Sequence, residues 1–497
     1  MAIGNAVRTR IVRRRILTLL AACRPLVLFG LTALTAGCGG LNGIKEALFG
    51  GATTAGQPGI IKGFAGGVVA DEPNAALVGR DILAAGGSAA DAAASMGFTL
   101  SVSLPSRAGL GAGGACLAYT ASRKGITGGV PEAVLFVSYA PTAAPGGMPA
   151  ADRPAGMPML ARGMFLLQTR HGRLPFEMSI APAERLARFG MPVSRAFARD
   201  LTLVAGPLLA DTGARAVFAQ DGALVREGQS VTQTDLAVTL SQIRAAGVGD
   251  FYQGALGRRI EQVSRSVGAP ILQSDLRQAL PGLAAPAVVS FQGDNAAFLP
   301  PPADGGLAAA VAFRSLARNP ADMDGANARG LGAAARWRAG GASAEAILAA
   351  ADLPGGAMPP LPASTSFVAM DREGNAVACA LSMNNLFGVG RMLPGLGFIP
   401  AASTAVVPAP LLAAGLVWNE GKQAFRAAAG GSGQSGAPMA VAVGLMNALR
   451  SRQPMAQPVP EPGRANVIAC DGYLPGNADS CAWATDPREP GLAVGGG

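Results

Sequence analysis

Hydrophobic and polar positions change rhythm several times along this chain, and each change marks an element. The run GGVVA, from Gly66 to Ala70, is a short apolar strand that stops at Asp71-Glu72-Pro73. A helical pattern follows from about Asn74 to Ala85, halted by Gly86-Gly87, and an Ala-rich helix comes next with Asp91 in its first turn, where amide dipoles favour a carboxylate. Gly-rich PSRAGLGAGG then precedes the apolar strand beginning near Cys116; because these glycines lead into a strand and do not open a helix, they are no nucleotide fingerprint. From about Ala161 to Ala285 apolar residues recur at spacings of three and four, which predicts a mostly helical scaffold. LPPPADGG, Leu299 to Gly306, is a turn entering another helix. SFVAMD, REGN and AVACALS then read as strand, turn and strand, and a last helix is expected from about Pro438 to Leu449. No repeat of fixed period is present.

With 497 residues, half of them hydrophobic, the chain can bury a large core. Its net charge of +9 points toward nucleic acid or an anionic surface only until the charges are located. Arg8, Arg10, Arg13, Arg14, Arg15 and Arg24 all precede residue 38, and without those six the balance is +3, so no nucleic-acid partner is expected. The same arginines introduce ILTLLAACRPLVLFGLTALTAGC, a basic segment, an apolar segment and small residues before a cysteine. LTAGC resembles a bacterial lipoprotein box, which implies a signal peptide over 1–37, acylation at Cys38, a flexible linker over 38–62 and a periplasmic protein held at a membrane. An ordinary signal peptide cut nearby, or an uncleaved anchor, is the other reading, and Arg13-Arg14 is a twin-arginine candidate. Outside the export segment the cysteines are Cys116, Cys379, Cys470 and Cys481. In an oxidising compartment Cys470 and Cys481 could close a small loop. With no CxxC pair and His171 as the single histidine, neither a metal site nor a serine-histidine triad is expected, and nothing calls for a cofactor.

Four pieces together resemble the gamma-glutamyltransferase family of N-terminal-nucleophile hydrolases: GGSAADAAASMGFTLSVSLPSRAGLGAGG, LPPPADGG, the hairpin with SMNNLFGVG, and WATDPREPGLAVGG. They occur in the family's order from about Gly66 to the C-terminus. The resemblance implies an α+β fold, a four-layer αββα sandwich, and a precursor that cuts itself so that the nucleophile becomes the N-terminus of a small subunit. The family begins that subunit seven residues before an Asp. Counting back from Asp371 puts Ser364 in the nucleophile position, with autocleavage between Ala363 and Ser364, a large part over 63–363 and a small part over 364–497. Serine replaces the family's threonine, and Ser366 stands where it has histidine. A hydroxyl at a first residue attacks an acyl carbon while the adjacent free amine takes the proton, so no histidine is needed. Thr365 is the competing nucleophile one register along.

By the same resemblance Ser382 is the helper hydroxyl, Asn384 and its neighbour Asn385 bind substrate, and Gly430-Gly431 supply oxyanion-hole amides. Read by itself, AAAGGSGQSG is a flexible loop before a helix. Departures gather on substrate recognition. The family's Arg-Glu-x-Ala-Pro motif becomes FVSYAPTAAP, Phe136 to Pro145, without its arginine; FIPAASTAVVPAP, Phe398 to Pro410, lacks the family's acid; and Pro410-Leu411 replace a Ser-Ser pair. Arg107 is a substitute for the missing cation, although an arginine near a turn is ordinarily a solvated charge. Two functions are therefore carried forward. One is a self-processing amidohydrolase or acyltransferase acting on a small-molecule γ-glutamyl or related amide, with its two self-cleaved subunits associated. The other is a family member without catalysis, serving as an envelope binding or scaffold lipoprotein.

Overall fold

The computed structural model describes residues 64–121, 128–141, 151–455 and 457–496. Cys38 and the expected signal and linker segments lie outside the described residues. The sheet strands, in chain order, are β1 (Gly66–Ala70), β2 (Gly113–Tyr119), β3 (Glu132–Phe136), β4 (Gly282–Ala284), β5 (Ala287–Phe291), β6 (Asp294–Phe298), β7 (Thr365–Asp371), β8 (Ala376–Ser382), β9 (Ala413–Asn419), β10 (Ala424–Ser432), β11 (Arg464–Leu474), β12 (Cys481–Thr485) and β13 (Leu492–Gly495). They form a seven-stranded sheet in the order β13-β1-β7-β8-β2-β3-β4 and a six-stranded sheet in the order β12-β11-β10-β9-β6-β5. All the named pairings are antiparallel.

Alternation along the central strands accounts for the layers. In β7, Val368 and Met370 pack with Leu416 and Ile468 of the other sheet, whereas Phe367 and Ala369 pack outward with Phe98 and Leu100. A period of two thus feeds two cores at once, and β7 and β8 are buried along both faces. A third core lies beyond the six-stranded sheet, where Val417 and Ala429 meet Phe313 and Leu445 of the helices Gly305–Arg318 and Ala437–Arg450. Three cores between four layers make the αββα sandwich.

The Ala-rich helix, Ala89–Ser103, is buried at all 15 positions. Small side chains and Gly97 allow that, since a Cβ at Gly97 would come within 2.4 Å of the Met164 sulfur. Its start is fixed by a capping box in which Ser88 Oγ accepts from the Asp91 amide and Asp91 accepts from the Ser88 amide at 2.8 Å. Asp91 also accepts from Gln168, Arg173 and Leu174, so the carboxylate caps this helix and ties it to another segment. The hairpin turn at Arg372–Asn375 is held by Asp371, whose carboxylate accepts from the Glu373 and Asn375 amides, while Gly374 takes a φ of 83°.

Among the described residues two disulfides are present, each between residues directly opposite in register. Cys470–Cys481 joins β11 to β12, as the short loop implied. Cys116–Cys379 joins β2 to β8 across 263 residues of sequence. Among the described residues no helix is long and apolar enough to cross a membrane, and no cluster of three or more His, Cys, Asp or Glu is arranged to hold a metal ion.

Candidate active site

Ser364 sits immediately before β7, 2% exposed. Its Oγ is buried and has no hydrogen-bond partner among the described residues. A buried hydroxyl normally finds one; the Tyr119, Ser138 and Ser432 hydroxyls are likewise without a partner among the described residues. The carbonyl just upstream does have a partner: Ser382 Oγ, at the end of β8, donates to Ala363 O at 2.8 Å. Ser382 Oγ in turn accepts from the Asn384 amide at 3.0 Å, which leaves its proton aimed at the carbonyl. Asn384 holds a left-handed φ of 58°, and its side-chain amide donates to Ala402 O at 2.9 Å. Phe387 is also left-handed, with its amide on Ser106 O. Within the SMNNLFG segment Ser382 is thus the residue on the carbonyl of residue 363, and Asn384 and Phe387 are held in place behind it.

Thr365 is engaged elsewhere. Its Oγ1 donates to Asp71 Oδ2 at 3.0 Å, and the Ser366 amide donates to the same oxygen at 3.0 Å. Asn466, reaching across from the six-stranded sheet, donates to Asp71 Oδ1 at 2.7 Å and also lies on the Ser366 carbonyl and hydroxyl. Burial, and then the charge of Glu489, push the Asp71 carboxyl above its ordinary value.

Arg107 corrects the expectation of a solvated charge in a loop. It lies on a short helix, Pro105–Ala108, and is buried. Its Nε and Nη2 bind Asp200 at 2.7 and 2.8 Å, and its Nη1 is 3.5 Å from Ser364 O. Ser106 Oγ adds a third bond to Asp200 at 2.7 Å. Burial opposes the guanidinium charge, but Asp200, with Asp71 and Glu489, holds the pKa above the ordinary arginine value.

Gly430 and Gly431, for which the resemblance implies oxyanion-hole amides, belong to β10 within a three-strand ladder, which replaces the loop that AAAGGSGQSG suggests by itself. A Cβ on Gly430 would lie 2.8 Å from Ser366 Cβ, whereas Gly431 faces the Ala437 carbonyl. Glycine is required at Gly430 because the two sheets approach closely there, two residues along the strand from Ser364. Asn385 is exposed, its amide 3.5 Å from Gly388 O, and lines a pocket of about 430 Å³ with Asp152, Arg153, Val204, Leu208, Leu386, Phe387 and Val406. That pocket does not reach Ser364, but its Ala402 wall carries the carbonyl that Asn384 binds. In the segment expected to hold the missing arginine, Ser138 is buried with no partner for its Oγ among the described residues, close enough to Gly156 that a Cβ there would meet it at 2.5 Å.

Asp71, Asp200 and Asn466 were not singled out from sequence. Asp71 had appeared only as a turn residue, and the others carried no local pattern.

Stacked antiparallel sheets between helical layers, with a buried serine opening a central strand, define the architecture of the N-terminal-nucleophile hydrolases. The solved cephalosporin acylase from Bacillus halodurans has the same fold, with a TM-score of 0.70 at 20% identity over 89% of this chain and 98% of that one. The chain belongs to the gamma-glutamyltranspeptidase family, whose model matches residues 75–330. That match ends before Ser364. The glutathione hydrolase proenzyme of Escherichia coli (strain K12) is 30% identical over 256 residues, 49% of this chain and 43% of that protein. The acylase ACY 1 proenzyme of Pseudomonas sp. (strain SE83) is 30% identical over 264 residues, 49% of this chain and 46% of its own. The chain thus spans less than half the length of these relatives.

Proposed function

We propose that this protein is a self-processing amidohydrolase or acyltransferase that forms an acyl-enzyme on Ser364. The observation that carries the reading is the pairing of an unpartnered Ser364 hydroxyl with an Ala363 carbonyl already held by Ser382. In maturation, Ser364 Oγ adds to the Ala363 carbonyl carbon, and the Ser382 hydroxyl stabilises the oxyanion. The C–N bond to Ser364 breaks as the proton passes to that nitrogen, giving an ester that water hydrolyses to an Ala363 carboxylate and a free Ser364 amine. In turnover this amine takes the Oγ proton, Ser364 attacks the substrate amide, and the proton leaves on the departing amine. Water or a second amine then releases the acyl group. That the relatives are hydrolase and acylase proenzymes weighs against a purely structural envelope protein.

The substrate in this reading is a small amide. The polar anchors expected for a γ-glutamyl group are missing from the sequence, and Arg107 is already bound by Asp200. A zwitterionic γ-glutamyl head would find no free cation in that pair. Export through residues 1–37 and lipidation at Cys38 belong to the same proposal, supported by the LTAGC sequence alone, and mass analysis of the mature N-terminus tests them.

A start at Thr365 has its own support, since Asp71 accepts the Thr365 hydroxyl and Arg107 lies near the Ser364 carbonyl. N-terminal sequencing of the small part separates the readings. A fragment beginning at Ser364, absent in Ser364→Ala, is expected. A Ser364→Ala chain that still cuts at the same bond would remove Ser364 as the nucleophile.

A further inference from the structure

The cleavage site between Ala363 and Ser364 divides the seven-stranded sheet unevenly in sequence but intimately in space. β7 and β8 come after it, and they lie between β1 and β2, which come before it. Cys116 is on β2 and Cys379 on β8. We infer that the Cys116–Cys379 disulfide crosses the cleavage site, so that the mature protein is two chains held by a covalent bond as well as by packing. This rests on the self-cleavage proposed above.

The geometry supports a formed bond. The two residues are register partners, their sulfurs are bonded, and both side chains are fully buried. Forming it oxidises two thiols to one disulfide and passes their two electrons and two protons to an external disulfide oxidant, which becomes two thiols and which an exported chain would meet while folding. Once buried, the bond is shielded from soluble reductants. Cys470–Cys481 has no such role, because both of its residues follow the cut.

The bond also bears on the site. Ser382 lies three residues beyond Cys379 on the same strand, opposite Gly113, which lies three residues before Cys116. A crosslink at Cys116–Cys379 therefore keeps the strand that presents the Ser382 hydroxyl in register with the large part after the backbone is cut.

The test uses the full chain exported to an oxidising compartment, with free thiols blocked at harvest. Electrophoresis and intact mass are compared with and without reductant. Without reductant we expect one species with the mass of both parts together; with reductant, two species, the smaller beginning at Ser364. Cys379→Ala should give two species even without reductant. Two separated parts in the unreduced native-sequence protein would overturn the crosslink while leaving self-cleavage intact. One uncut chain under both conditions would overturn self-cleavage, and the crosslink between subunits with it. Should Cys379→Ala fail to fold, a non-reducing peptide map of the native-sequence protein decides: a linked Cys116–Cys379 peptide supports the inference, and two blocked thiols refute it.

Discussion

Ser382→Ala removes the hydroxyl held on the Ala363 carbonyl, which makes it the most informative single change. In the folded precursor the hydroxyl donates to Ala363 O at 2.8 Å while accepting from the Asn384 amide. As Ser364 attacks, that carbonyl oxygen gains negative charge, and a donor already aimed at it strengthens without moving. Losing one such donor costs about 2.7–4 kcal/mol of barrier, or roughly 10²–10³ in rate. The variant also leaves the Asn384 amide and the Ala363 carbonyl unpaired in a buried place, a stability loss of about 1–3 kcal/mol. These effects separate in the assay. The rate is read as conversion of the precursor to two parts on reducing gels over time, and stability as the denaturant midpoint of the precursor. Ser382→Thr, which keeps a hydroxyl, should recover much of the rate. Cleavage of Ser382→Ala within about threefold of the native-sequence rate, in protein that is still folded, would refute the oxyanion role assigned from the general magnitude.

Two further outcomes are expected. Arg107→Ala strands the buried Asp200 carboxylate and should destabilise the fold by about 3–5 kcal/mol; adding Asp200→Ala should recover part of the loss, and additive losses in the denaturant midpoints would show that the pair is not coupled. Asp71 has a folded pKa raised above its ordinary 3.8, so the stability it contributes is present below that value and is lost as pH rises through the folded one. Relative to Asp71→Asn, which cannot ionise, the native-sequence protein should lose melting temperature as pH rises above the ordinary carboxylate value, and a constant gap would refute the buried-acid reading.

The features legible in the sequence are those with a local cause. Alternation in SFVAMD and AVACALS, with an Asp and a Gly at the turn, is enough to specify the β7–β8 hairpin. What stayed hidden depends on partners far away in sequence. Arg107 reads as a surface charge until Asp200, 93 residues on, is folded against it. Asp71 reads as a turn residue until Thr365, 294 residues on, is paired beside it. At Gly430 the local pattern alone suggests a loop, whereas the family resemblance gives the residue a role as a backbone donor. Glycine signals backbone freedom when only the sequence is seen, but here it answers a need for closeness, since a methyl group would collide with Ser366.

The interleaving of β1, β7, β8 and β2 also constrains how the protein can be made. A chain starting at Ser364 and produced alone would carry β7 and β8 as a two-stranded ribbon with both outer edges bare. A chain ending at Ala363 would present β1 and β2 with the gap between them unfilled. Bare apolar edges of this kind pair with whatever strand they meet, so mixing the separately produced halves should give aggregates in place of a working sandwich. Intact synthesis is in this sense the protein's own chaperone: the uncut connection keeps each strand beside its neighbour until the sheet is closed.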